Sequence, residues 1–235
     1  MKLETAKVLI TGGNTGLGFA TAKLLKEKGA SVVIAGRNPE TLAQAAKELN
    51  VHSIQADVSN EEDVINMVKK AHEQLGGLNV LINNAGFGYF KPLTEMDREG
   101  FERVFATNVT GAMLTGRECA KIFTAQQSGN IINIASTAGR AGFAMGSAYA
   151  ASKFALAGMT ECWRAELRPH NVRVMLINPS EVQTGFAENA GREARPFNHT
   201  KLQAEDIAHT ICSLLQLDDR AFVTEATVWA TNPKN

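Results

Sequence analysis

The sequence predicts an α/β domain: a doubly wound, mostly parallel sheet of seven strands with helices on both faces. Three features point there. Short runs of β-branched and aliphatic residues alternate with longer helix-period segments. The runs are apolar almost throughout, as strands covered on both faces must be. A glycine-rich turn joins the first run to the first helix. No linker, repeat or low-complexity tract divides the 235 residues, so one domain, 1–235, is expected.

The elements follow in order. Lys7–Thr11 reads as a buried strand, and a helix runs from about Gly16 to Lys28 with Leu17, Ala20, Leu24 and Leu25 at helical spacing and Gly29 as its stop. Ser31–Ala35 is the second strand. Pro39 opens a helix through Leu42, Ala45, Ala46 and Leu49. His52–Gln55 is the third strand, Glu61–Leu75 a helix and Asn79–Asn83 the fourth strand. Helical stretches near Arg98–Phe105 and Thr110–Ala125 precede a strand at Asn130–Ala135. A helix from Tyr149 to Leu167 leads to a strand at Val172–Ile177, and Ala204–Leu217 and Phe222–Trp229 supply the last helix and strand. The one long loop, Thr184–Lys201 (a substrate loop at about 184–202), has the length of a lid. Right-handed crossovers put the ligand crevice at the carboxyl ends of the strands.

Composition narrows the function. Lys+Arg and Asp+Glu both number 24, a balance that argues against nucleic acid and against a polybasic membrane patch. With 44% hydrophobic and 20% charged residues the chain can bury a sizeable core. No run approaches the roughly 18 apolar residues of a membrane helix, and Met1–Thr5 lacks a signal-peptide pattern, so a cytoplasmic location is expected. Cys119, Cys162 and Cys212 are scattered and read as small apolar helix residues. Neither they nor the five histidines have metal-ligand spacing, and no metal is expected.

Thr11-Gly12-Gly13-Asn14-Thr15-Gly16-Leu17-Gly18 lies between the first strand and its helix. Glycines let backbone approach a pyrophosphate, and the helix N-terminus offers free N–H groups to it. The spacing differs from G-x-G-x-x-G, and Phe19 and Ala20 stand where a Walker loop has Lys and Ser/Thr. A Rossmann-type dinucleotide site is the reading. At the end of the second strand, Ala35-Gly36-Arg37-Asn38 has no carboxylate for a ribose 2′-OH. Arg37 there offers a guanidinium suited to a 2′-phosphate, so NADP is favoured, with NAD as the alternative.

Taken together the motifs resemble one family over nearly the whole chain, the short-chain dehydrogenases/reductases, and within it the 3-oxoacyl-[acyl-carrier-protein] reductase-like members. The resemblance rests on Thr11–Gly18, Asp57-Val58, Asn83-Asn84-Ala85-Gly86, Asn108, Ser136 and Tyr149-Ala150-Ala151-Ser152-Lys153. It implies cofactor contacts from Gly12, Asn14, Thr15, Gly16, Leu17, Gly18 and Arg37. Asp57 and Val58 would meet the adenine, and Asn84, Ala85 and Gly86 would line the crevice. Asn178–Thr184 matches the family's P-G-x-V-x-T run, bringing Pro179, Val182 and Thr184 to the carboxamide, although Ser180 replaces its glycine.

The same resemblance implies a catalytic set of Asn108, Ser136, Tyr149 and Lys153, of which Asn108, Tyr149 and Lys153 also meet the cofactor side. Tyr149 and Lys153 are four apart and share a helix face. A lysine cation there is expected to lower the phenol from its usual pKa of about 10 and let it trade protons. Ser136 would bond the substrate oxygen, Lys153 the nicotinamide ribose, and Asn108 a water linking Lys153 to solvent. Each residue alone has an ordinary use as helix-face aromatic, surface charge, turn former or cap; the combination carries the reading.

The expected function is NADP(H)-dependent interconversion of a small or medium carbonyl and an alcohol. Reduction of 3-oxoacyl thioesters is the alternative, and a non-catalytic NADP-binding regulator is the alternative of another class. Gln127 and His170 stand where carrier-protein-docking relatives have basic residues, which speaks against that partner. Phe186, Phe197 and Arg192 in the long loop are expected to close over substrate, and Trp229 to pack as a strand aromatic. The resemblance implies a homo-oligomer, dimer or tetramer, built on Thr110–Ala125 and Tyr149–Leu167.

Overall fold

A computed structural model of the chain describes residues 1–186, 190–191 and 196–233. Strands β1 (Lys7–Thr11), β2 (Ser31–Gly36), β3 (His52–Gln55), β4 (Val80–Asn83), β5 (Gly129–Ile134), β6 (Val172–Pro179) and β9 (Glu225–Val228) form one sheet in the order β3-β2-β1-β4-β5-β6-β9. Every pairing is parallel. The chain runs outward from β1 to β3, returns to place β4 on the other side of β1, and runs outward again. That reversal leaves a crevice above the carboxyl ends of β1 and β4.

The helices are α1 (Gly16–Glu27), α2 (Pro39–Leu49), α3 (Glu61–Leu75), α4 (Arg98–Phe105), α5 (Ala112–Ala125), α6 (Ser147–Leu167) and α7 (Ala204–Gln216). Alternate strand residues face opposite layers, which explains the unbroken apolar runs. Val8 and Ile10 of β1 pack with Leu25 of α1, Leu42 of α2 and Ile207 of α7. Leu9 between them packs with Val64 and Met67 of α3 and Phe123 of α5. Each such side chain, fully buried, contributes about 1.5–3 kcal/mol. Phe123 is wholly buried between α5 and β5, so Phe123→Ala should cost roughly 3–5 kcal/mol in urea unfolding. A loss of only about 0.5 kcal/mol, the scale of surface substitutions, would contradict that packing.

Four expectations change. The Thr110–Ala125 helix is preceded by a π-helical segment, Ala106–Gly111, so α4 and α5 form one continuous rod with a widened turn at Asn108. The long loop is bracketed by a parallel two-stranded ribbon, β7 (Val182–Gln183) with β8 (Leu202–Gln203). The Gln183 amide fixes Asn198 there, donating to its carbonyl at 2.6 Å and accepting from its N–H at 2.8 Å. Arg192 lies outside the described residues. The last strand is only four residues long, and Trp229, just beyond it, is 66% exposed rather than packed. Cys119 and Cys212 are buried as expected, but Cys162 is exposed. Among the described residues no helix is long and apolar enough to cross a membrane.

Candidate active site

The crevice begins at the loop after β1. Gly12 has φ +62°, a left-handed conformation open to glycine, and a Cβ there would stand 3.0 Å from the Ala85 Cα. Asn84 closes the contact by donating its amide to Thr11 O at 3.0 Å and Gly12 O at 2.9 Å. The Thr11 hydroxyl accepts from the Asn84 and Ala85 N–H groups, both at 3.1 Å. A Cβ on Gly18 would approach the Asn84 Nδ2 to 2.6 Å, so the first turn of α1 sits directly against this loop. Asn38, Asn60 and Asp97 cap α2, α3 and α4, whereas Thr15 makes no side-chain cap bond at α1. The first-turn amides of α1 are thus left without a side-chain cap, as an anion-binding helix N-terminus requires.

Arg37 follows β2, with its side chain 60% exposed and Nη1 3.8 Å from the Asp57 carboxylate. An ion pair that open is weak and exchangeable. Asp57 itself is held by Ser59, accepting from its N–H at 2.9 Å and its hydroxyl at 2.7 Å. Val58 is buried, and a Cβ on Gly111 would lie 2.7 Å from its Cγ2. Asn14 donates to the Thr41 hydroxyl at 2.9 Å and leans over Gly36. At the other end Pro179 terminates β6 beside Val228, Val182 packs against the sheet core, and Thr184 reaches over Gly16. Ser180, where the family has glycine, stays outside the left-handed region, so a side chain is accommodated without strain.

The four catalytic candidates converge where β4, β5 and α6 meet. Ser136 follows β5, accepts from the Ala138 N–H at 3.1 Å and stands beside the Tyr149 phenol, whose ionised form it favours. Lys153, one turn after Tyr149 on α6, is buried and donates to Ile134 O at 2.9 Å. Its ammonium lies 5.7 Å from the Tyr149 ring centroid. Asn108, buried in the π segment, donates to Phe87 O and to the Ser152 hydroxyl, both at 3.0 Å, and accepts from the Phe87 N–H at 3.0 Å. A Cβ on Gly86 would stand 3.0 Å from Asn108 Oδ1 and 3.6 Å from Lys153 Nζ, so this loop joins the glycine-rich turn to the catalytic group.

Electrostatics departs from expectation here. Burial pushes the Tyr149 phenol up to about 12, and the neighbouring Ser136 opposes it. Burial pulls Lys153 down to about 8. Desolvation therefore sets the direction, and the phenol is raised rather than lowered. Tyr149 is held protonated across the neutral range, ready to donate.

Several contacts around the site carried no sequence signal, although Asn83 and Phe186 did. Asn83 of β4 donates to Asn133 of β5 at 3.0 Å and to Ala112 O at 3.2 Å, and Asn133 donates to Thr160 of α6 at 2.8 Å. This buried chain ties strands and helices together beneath the site. Arg140, at the end of the turn after Ser136, pairs with Glu225 of β9, which also accepts from Asn178. Phe90, Phe143 and Phe186 gather around Tyr149 from three separate segments.

Comparison with known proteins agrees with this arrangement. The family described as short chain dehydrogenase matches residues 6–195. An uncharacterized oxidoreductase of Staphylococcus aureus (strain USA300) is 33% identical over 232 residues, covering 97% of this chain and 99% of its own. The fold is similar to an alcohol dehydrogenase from the archaeon Thermococcus sibiricus complexed with 5-hydroxy-NADP, with TM-score 0.87 and 26% identity over 97% of this chain and 99% of that one. It is also similar to a 3-ketoacyl-(acyl-carrier-protein) reductase from Brucella melitensis complexed with NADH, with TM-score 0.88 and 26% identity over 95% and 96% of the two chains. With its glycine-rich turn at the sheet's switch point and its Ser136–Tyr149–Lys153 group beside it, the chain belongs to the short-chain dehydrogenase/reductase family of oxidoreductases.

Proposed function

We propose that the protein is an NADP(H)-dependent enzyme interconverting a carbonyl and an alcohol, with Tyr149 as the acid/base. The observation that carries this is the Tyr149 phenol, beside Ser136 and one helical turn from Lys153, at the crevice end bounded by Gly86. Gly12, Asn14, Thr15, Gly16, Leu17 and Gly18 would hold the diphosphate side and Arg37 a 2′-phosphate. Asp57 and Val58 would meet the adenine, with Asn84, Ala85 and Gly86 along the crevice and Pro179, Val182 and Thr184 at the carboxamide. A bound nicotinamide supplies the hydride for reduction or accepts it in oxidation.

The chain's own groups do the rest. Ser136 donates to the substrate oxygen and fixes it beside the phenol, stabilising charge as it develops. Tyr149 gives that oxygen its proton in reduction and takes it back in oxidation. Lys153, anchored to Ile134 O, keeps a positive charge near the phenolate that forms and would bond the nicotinamide ribose. Asn108 braces Phe87 and Ser152, and its oxygen and the Lys153 ammonium bound the same space beside Gly86. A water there would connect Lys153 to solvent.

Reduction of 3-oxoacyl thioesters is a second reading, favoured by the likeness to the Brucella enzyme. Gln127 and His170 hydrogen-bond one another at 3.0 Å instead of forming a cationic dock. No turnover of acetoacetyl-CoA with NADPH removes that reading. A homo-oligomer built on the α5 and α6 faces is proposed as well, and light scattering on the purified chain tests it; a monomer at all concentrations would refute it.

Arg37→Ala tests the cofactor assignment. Losing a charged hydrogen bond to phosphate should weaken NADPH by roughly tenfold or more in calorimetry, with NADH little changed. Equal effects on the two would refute the 2′-phosphate contact.

A further inference from the structure

The rings around Tyr149 bear on which carbonyl enters. Tyr149 lies 5.6 Å from Phe90 and 5.4 Å from Phe186, centroid to centroid, with tilts of 59° and 56°. Phe143 extends the group at 6.0 Å from Phe90 and is 44% exposed, so the cluster opens outward instead of closing into the core. These are the offset, tilted distances at which aromatic faces and edges attract.

The rings are seated, not loosely placed. Phe90 occupies the space a Gly88 Cβ would need, and Phe186 comes within 3.2 Å of the same point. A Cβ on Gly146 would meet the Phe143 ring at 2.6 Å. A backbone hydrogen bond of 3.1 Å, Lys91 N–H to Met145 O, clips together the two loops that carry Phe90 and Phe143. Met145 accepts a left-handed φ of +66° to make that turn, strain of the kind the surrounding structure holds in place for function.

Among the described residues, three nearby cations are engaged elsewhere. Lys153 is bonded to Ile134 O, Arg103 lies over the Phe87 ring at 5.6 Å, and Arg140 is paired with Glu225. A substrate carboxylate entering between these rings would lose its hydration, and none of these three cations is placed to receive it. A flat apolar group would replace water on three aromatic surfaces.

We infer that Phe90, Phe143 and Phe186 form a ring-recognition wall that selects an uncharged ketone, or its secondary alcohol, whose carbonyl carbon is attached to or part of a ring. The inference deepens the proposed function and rests on Tyr149 being the proton donor. The wall holds the ring while the carbonyl oxygen points at Ser136 and Tyr149.

The test compares wild type, Phe90→Ala and Phe143→Ala. Turnover with NADPH is measured on acetophenone, acetone, pyruvate and acetoacetyl-CoA. Binding of 4-fluoroacetophenone to the NADP⁺ complex is followed separately by fluorine NMR, and thermal unfolding confirms that each variant is folded. Wild type should favour acetophenone over acetone and pyruvate by roughly 100-fold in kcat/KM. Each variant should raise KM for acetophenone about tenfold, shrink its advantage over acetone, and weaken the fluorinated ligand to match. Preference for pyruvate or acetoacetyl-CoA, or variants that leave both the ratio and the ligand binding unchanged, would overturn the inference while the reductase reading stands. Ring-ketone binding that the variants weaken, with no carbonyl turned over, would support ring recognition and overturn the reductase reading.

Discussion

Tyr149→Phe should lower kcat/KM for carbonyl reduction by roughly 10²-fold or more while NADPH affinity stays near wild type. The substitution removes one oxygen and leaves the ring between Phe90 and Phe186, so the site keeps its shape. The lost oxygen is the one beside Ser136, and no other described side chain there can deliver a proton along that line. Lys153 is a poor substitute, because its ammonium points to Ile134 O. Steady-state kinetics with cofactor titration in parallel checks both halves. Full activity in the variant would reject Tyr149 as the acid. A matching loss of cofactor binding would show that the substitution damaged the crevice instead.

Lys153→Met should act in opposite directions on activity and stability. Turnover should fall by roughly 10²-fold or more, since the charge beside the phenolate and the ribose contact both disappear. The cofactor-free protein should nevertheless become more stable at pH 7. Burial lowers the lysine from 10.5 to about 8, so the folded chain holds that charge at a cost of roughly 3 kcal/mol at most. About 1 kcal/mol of the relief is returned with the lost bond to Ile134 O. The pH dependence has a definite sign. Between about 8 and 10.5 the unfolded chain carries a proton on Lys153 that the folded chain has released, so wild-type stability rises with pH across that window. Tyr149, raised from 10.0 to about 12, does the reverse, and stability falls as pH passes through that higher window. Urea unfolding at stepped pH should show the rise in wild type and not in Lys153→Met. A variant less stable than wild type at pH 7, or one that keeps the rise, would contradict the account.

What the sequence made legible was whatever depends on short-range pattern. Val8, Leu9 and Ile10 read as a two-sided strand because parallel strands are covered on both faces, and their split between two core layers agrees. The Tyr149/Lys153 pairing was equally visible, since four residues of helix fix it. The direction of the phenol's shift was not, because it is set by burial, which is a property of the packed site. The π segment around Asn108 also escaped pattern, being associated with side-chain bonds to Phe87 and Ser152 that are distant in sequence. Two-residue strands such as Val182–Gln183 carry no periodicity to read. Trp229 lies outside the strand its pattern suggests because β9 ends before it at the sheet edge. The aromatic wall was legible only at Phe186, since Phe90 and Phe143 lie on two other segments that only the fold brings beside it.

The central claim is that Tyr149 protonates a carbonyl oxygen as a hydride reaches its carbon from a nicotinamide in this crevice. Mass spectrometry of the alcohol formed from acetophenone with NADPH deuterated at the transferring position tests it most directly. The expected result is one deuterium at the carbinol carbon with wild type and a rate roughly 10²-fold or more lower with Tyr149→Phe. Cofactor that binds but delivers no deuterium to any carbonyl offered would contradict the claim and point to a regulator that keeps the fold without the chemistry.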